Sequence, residues 1–136
     1  MPTPLPVFLP LHMQQAMIEH ARQELPDECC GVLIGRDGAM QRAVAMRNAE
    51  PEPDRYIMDP EQQILLFTEM ERTGEQLLGI YHSHPKSPAL PSGADLQLAF
   101  HPEVVYVIIS LEDATPDLRG FMLTENGFKE VDLRIC

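Results

Sequence analysis

Basic residues are scarce in this chain: 10 Lys and Arg stand against 21 Asp and Glu, a formal charge of −11. A surface of that sign repels a phosphate backbone, which removes nucleic acid from the expected partners. Cysteine is scarce as well. Cys29, Cys30 and Cys136 are too few and too oddly spaced for a disulfide framework. The long apolar run of about 18 residues that a membrane-spanning helix requires is missing. The opening Met1-Pro2-Thr3-Pro4-Leu5-Pro6 lacks the basic stretch and apolar core of a signal peptide. The cytoplasm is therefore the expected compartment, with no membrane association.

What remains is a chain of 136 residues, 44% hydrophobic, long enough to form one domain over residues 1–136 with its own core. Val7-Phe8-Leu9 is the segment expected to tie down the proline-rich start. Leu11, Ile18 and Leu25, with Met17 and Ala21, form an apolar stripe that predicts a helix over 11–25, stopped by Pro26. Cys29 to Gly35 reads as a buried strand, Arg36-Asp37-Gly38-Ala39 as a hairpin turn, and 40–47 as the returning strand. Residues 48–55 form a polar, proline-broken loop, and Tyr56-Ile57-Met58 is a candidate short strand. Asp59-Pro60-Glu61-Gln62 opens a second helix to about Gly74, with Asp capping and Gln62 reaching back to complete the cap.

A strand over 77–84, a short helix over 92–100 and a Val- and Ile-rich strand over 104–111 come next. Strands over 118–124 and 128–134, joined by Asn126-Gly127, close the chain, and Cys136 is expected to fray. The order predicts an α/β or α+β fold: a central mixed sheet flanked by helices.

The chemistry concentrates in His82-Ser83-His84-Pro85, followed by Ser92 and Asp95. On a strand, His82 and His84 share a face and can offer nitrogens to one ion, while Ser83 points into the packing. Prolines at 85, 88 and 91 match polyproline II spacing, a stiff loop that would hold Asp95 at a fixed distance. Two histidines and an aspartate are three ligands, which leaves the fourth zinc position open to water, as in hydrolytic sites. Each piece also has a plain reading. Ser92-x-x-Asp95 is equally a helix capping box, His-x-His is often structural, and Cys29 or Cys30 as a fourth ligand would close the site. Glu28, at the mouth of a buried apolar strand, is the candidate to take a proton from water, though a solvated strand-edge Glu fits the sequence as well.

Pro26-Asp27-Glu28-Cys29-Cys30-Gly31-Val32-Leu33-Ile34-Gly35, with His82-Ser83-His84-Pro85-x6-Ser92-x-x-Asp95 some fifty residues on, resembles the JAMM (MPN-plus) metallopeptidases from the first helix to at least residue 111. The resemblance implies a cytidine-deaminase-like fold and one zinc ion on His82, His84 and Asp95. It further implies Glu28 as the catalytic glutamate and Ser92 as the oxyanion-stabilising serine. The short chain is similar to the compact prokaryotic branch. For that branch the expected partner is a small β-grasp ubiquitin-like sulfur carrier, cut after Gly-Gly to release a C-terminal amino acid or short extension. Three rivals stay open: an isopeptidase acting on lysine-linked modifiers, a RadC-like protein, and a non-enzymatic interaction module. Pairing with a second copy is also left open.

Overall fold

The computed structural model describes residues 6–97 and 99–136. Most of the proline-rich start (Met1 to Leu5) and Leu98 of the third predicted helix lie outside the described residues. The elements are β1 (Val7–Leu9), α1 (Leu11–Gln23), β2 (Cys30–Arg36), β3 (Ala39–Met46), α2 (Pro60–Thr73), β4 (Gln76–His84), α3 (Gly93–Gln97), β5 (Val105–Ser110), β6 (Asp117–Thr124), β7 (Gly127–Val131) and β8 (Leu133–Ile135). Six strands form one sheet in the order β3-β2-β4-β5-β6-β7, and β1 and β8 form a separate parallel pair. Only β4 and β5 run parallel within the large sheet. The mixed α+β architecture expected from the sequence is the one observed.

Alternation along β2 divides the core. Cys29 and Leu33 face α1 with Met13, Met17 and Ala21, whereas Cys30, Val32 and Ile34 face the α2 side with Met58 and Met70. The buried line on α1 is thus Met13, Met17 and Ala21, spaced by four. Leu11 and Leu25, two members of the predicted stripe, are exposed. A heptad pair is not enough to choose the inward face when Met13, Met17 and Ala21, four residues apart, compete for it. Gly31 lies over Tyr81, where any β-carbon would collide with the phenol ring. That ring reaches His20, whose Nδ1 is 2.8 Å from the Tyr81 hydroxyl.

Several local expectations are corrected. Tyr56-Ile57-Met58 is no strand: only an isolated bridge joins Asn48 to Met58. Asp59 caps α2 by accepting from Glu61 N–H, but Gln62 does not close the box. Gln62 Oε1 accepts instead from Arg47 N–H at 2.6 Å, while Asp59 N–H donates to the Arg47 carbonyl. The last predicted strand divides at Asp132, and β8 turns away to pair with β1. Cys136 does not fray: its N–H donates to Leu9 and its carbonyl accepts from Leu11, bolting the C-terminus to the start of α1. The 85–91 loop is not polyproline II, which has no internal hydrogen bonds. Leu90 N–H closes a three-residue turn onto the Pro88 carbonyl at 2.8 Å.

One fold contact bears directly on the site. Ser83, fully buried, accepts Cys29 N–H on its Oγ at 2.8 Å and donates its own N–H to the Cys29 carbonyl. This pair continues the β2–β4 ladder one step past Cys30. Ser83→Ala leaves a buried N–H unsatisfied and is expected to lower unfolding stability by about 1–3 kcal/mol. Denaturant titration at constant m-value checks it, and an unchanged midpoint would remove the contact from the account.

Candidate metal centre

Register dictates what meets here. Cys30 pairs with His82; two residues before the one and two after the other, Glu28 falls opposite His84. His82 and His84 lie on the α2 face of β4, and Ser83 on the α1 face, as strand alternation requires. Backbone bonds hold Glu28 from outside the sheet. Its N–H donates to the Glu52 carbonyl, and its carbonyl accepts from Asn48 Nδ2. Tyr56 stacks on His82 with ring centroids 4.8 Å apart and fixes the plane of that imidazole.

Asp95 closes the group from the first turn of α3. Its Oδ1 is 3.0 Å from His82 Nε2, its Oδ2 is 3.0 Å from His84 Nε2, and the two Nε2 atoms are 3.2 Å apart. Three ligands around one tetrahedral zinc, at bonds of 2.0–2.1 Å, stand about 3.3 Å from one another. The two Nε2 atoms stand nearly that far apart, and each lies 3.0 Å from one oxygen of Asp95. His84 Nδ1 is 2.8 Å from the Pro88 carbonyl. A carbonyl only accepts, so Nδ1 carries the hydrogen and a neutral ring presents a lone pair at Nε2, facing another acceptor on Asp95. Two acceptors in contact require a proton or a metal cation between them.

The electrostatics fit that requirement. Burial pulls His82 below its ordinary value, against the pull of Asp95. Burial would lower His84 too, but its hydrogen bonds to Asp95 and Pro88 outweigh burial and hold it above the ordinary value. Asp95 is opposed by burial, yet hydrogen bonds from both imidazoles keep its carboxyl well below the usual carboxylate range. Glu28 behaves oppositely. It is 2% exposed, and burial pushes it up to about 8, with His84 opposing the shift and Asp95 adding to it. Its Oε1 is buried without a hydrogen-bond partner.

All five residues singled out in the sequence are brought to one place. Glu28, His82, His84 and Asp95 offer ligand atoms within 4.8 Å of one another. Ser92 and Asp95 form a closed capping box: Ser92 N–H donates to Asp95 Oδ2 at 2.9 Å and Asp95 N–H to Ser92 Oγ at 3.0 Å. The bland reading therefore holds, and Ser92, accepting on its oxygen, keeps its own hydroxyl proton to donate. Glu28, His84 and Ser92 line a cavity of about 320 Å³. A larger one, about 490 Å³, lies between β1 and the β2–β3 turn; its only acidic linings are Asp37 and Glu103, and no histidine reaches it. Cys29 and Cys30 are not part of the group. Burial pushes both thiols up to about 12, and they fill the core on opposite faces of the sheet.

Sequence reasoning missed Asn48. Its Nδ2 holds the Glu28 carbonyl while its Oδ1 accepts from Glu50 N–H and Ile57 N–H, folding the 48–58 loop against the site. The bond to Glu50, two residues on, is the Asx-turn signal that an Asn opening a polar loop offers.

Residues 10–124 match the family described as prokaryotic homologs of the JAB domain. The chain is 37% identical over 123 residues to the CysO-cysteine peptidase of Mycobacterium tuberculosis, covering 88% of this chain and 84% of that one. It is 36% identical to a probable TtuB-protein conjugate cleaving protease of Thermus thermophilus (89% and 78% covered) and 36% identical to a desampylase of Haloferax volcanii (90% and 91%). A solution structure from Desulfitobacterium hafniense superposes with a TM-score of 0.86 at 36% identity, covering 97% of this chain and 93% of that one. A JAB1/MPN domain protein from Archaeoglobus fulgidus shares the fold at a TM-score of 0.66 and 18% identity, over 98% of this chain and 100% of that one. On the match to its family and on these relatives, the chain belongs to the prokaryotic JAB-domain family.

Proposed function

We propose that the protein is a zinc peptidase that hydrolyses the bond after a C-terminal Gly-Gly of a small ubiquitin-like carrier protein. The observation that carries this reading is the unpartnered, buried Glu28 carboxyl beside three convergent ligands. The relatives' names support the hydrolase class and the substrate class: a CysO-cysteine peptidase, a TtuB-conjugate cleaving protease and desampylases.

The residues fit zinc. The donor set is two imidazole nitrogens and a carboxylate, without thiolate, and His84 already has the carbonyl partner on its far nitrogen that ligating histidines use. His82 lacks that partner and is oriented by the Tyr56 ring instead. A zinc ion held by His82, His84 and Asp95 supplies Lewis acidity, lowering the pKa of water to about 7 and polarising a carbonyl.

The chain's own groups do the rest. Glu28, close to the ligands but hydrogen-bonded to none of them, takes the proton from water and passes it to the leaving amine. Ser92, free to donate its hydroxyl hydrogen into the same cavity, stabilises the oxyanion on the scissile carbonyl. Tyr56, buried and stacked on His82, walls that side of the site.

Three measurements test this reading. Glu28→Gln is expected to keep one zinc per chain while turnover on a Gly-Gly-extended carrier falls roughly 10²–10⁴-fold; rates like the parent's would remove Glu28 from the proton transfer. His84→Ala is expected to lose stoichiometric zinc by elemental analysis, and full occupancy would exclude it as a ligand.

The third uses the metal-free chain. The Glu28 carboxyl binds its proton more tightly folded (about 8) than at the ordinary 4.5. Its contribution to stability is complete below the lower value and is lost as pH rises to the higher one. Glu28→Gln has no proton to lose. Its melting temperature should therefore gain on the parent's progressively between about pH 5 and pH 8 and stay level beyond. A pH-independent difference in calorimetry would contradict the buried, protonated state.

A further inference from the structure

We propose that Lys86 is the carboxylate-binding residue of the leaving-group subsite, which makes the enzyme selective for a single C-terminal residue with a free α-carboxylate. The inference rests on the peptidase reading and adds what lies beyond the scissile bond. Lys86 lines the same cavity as Glu28, His84 and Ser92, with Asp54 and Ser87. It is one of two lysines in the chain. Among the described residues Lys86 makes no ion pair, whereas Arg42, Arg47, Arg55, Arg72, Arg119 and Arg134 are each engaged by a carboxylate.

An exposed lysine left unpaired is unremarkable on most surfaces. Here the surroundings give it a task. The chain carries a net charge of −11, and the other ionisable groups on this cavity besides His84 are Glu28 and Asp54. An anionic leaving group entering beside Asp54 meets in Lys86 the one basic side chain on this cavity besides His84. A free α-carboxylate sits one carbon from the scissile nitrogen, so it must be met close to the reacting bond, in the cavity that Glu28 lines. A lysine-linked conjugate presents no carboxylate there, and a longer peptide places it further out.

The loop keeps the lysine in position. His84 Nδ1 donates to the Pro88 carbonyl at 2.8 Å, Ser110 Oγ donates to the Ser87 carbonyl at 2.6 Å, and Leu90 N–H closes onto Pro88. Pro85 and Pro88 flank the segment, so little backbone freedom is left to lose on binding. Only the flexible side-chain stem remains to be ordered.

The test uses the zinc-loaded enzyme and two substrates, a carrier ending Gly-Gly-Ala with a free carboxylate and the same carrier with a C-terminal carboxamide. The parent is expected to prefer the free acid by roughly tenfold in kcat/KM, mostly through KM, as for one charge-assisted contact. Lys86→Met should collapse the preference toward unity, and Lys86→Arg should keep most of it. Equal rates on both substrates by the parent would overturn the carboxylate inference and leave the peptidase standing. A preference surviving in Lys86→Met would assign it elsewhere. If the parent cleaves neither substrate while zinc-loaded, the peptidase reading falls and this inference with it.

Discussion

A single carboxylate ties this site to its fold. Asp95 accepts the backbone N–H that starts α3, and each of its oxygens lies 3.0 Å from an imidazole nitrogen on β4. Burying an anion costs several kcal/mol unless it is compensated by charge and hydrogen bonds together. The helix turn supplies one bond, but the imidazoles supply lone pairs as readily as protons. Asp95 is therefore satisfied fully only when a positive charge sits at the point where the three groups converge. Because the unfolded chain holds no such cluster, whatever binds there also stabilises the fold.

The same arrangement explains why Glu28 is poised rather than merely buried. The sheet delivers it through the Cys29–Ser83 step of the ladder, and the 48–58 loop clamps it through Asn48 and Glu52. No hydrogen bond reaches its buried Oε1. Burial raises the proton affinity of that carboxyl most, and the neighbouring His84 and Asp95 shift it in opposite directions.

Much of this was legible in the chain, because the informative features are short-range. His-x-His on a strand, the S-x-x-D opening of a helix and the apolar run after Glu28 each follow from a period of two or a turn of three. The failures are tertiary. The local pattern assigns Gln62 to its own helix cap, but the Arg47 backbone competes for it from another element. The 85–91 prolines suggested an open polyproline segment, yet the need to satisfy His84 and Ser110 draws the Pro88 and Ser87 carbonyls inward. Cys136 reads as a loose end because nothing local announces a parallel partner for β8, and only the distant β1 supplies it. Tyr56 carries no periodic signal at all; its role is visible only as a ring stacked on His82.

Topology accounts for why the chemistry collects where it does. In open sheets, ligands are met beyond the carboxyl ends of strands, where a change of direction opens a crevice. Here β4 is bordered by antiparallel β2 on one side and parallel β5 on the other. The connection from β4 to a parallel neighbour must cross over the sheet, and that crossover is the segment holding Lys86, Ser92 and Asp95. The antiparallel neighbour delivers its N-terminal end to the same edge, which brings Glu28. One strand end thus gathers its own two imidazoles, an acid from its antiparallel neighbour, and an anion plus a cation from the loop it launches. The antiparallel β2–β4 pair and the parallel β4–β5 pair together bring Glu28, His82, His84 and Asp95 to this one edge.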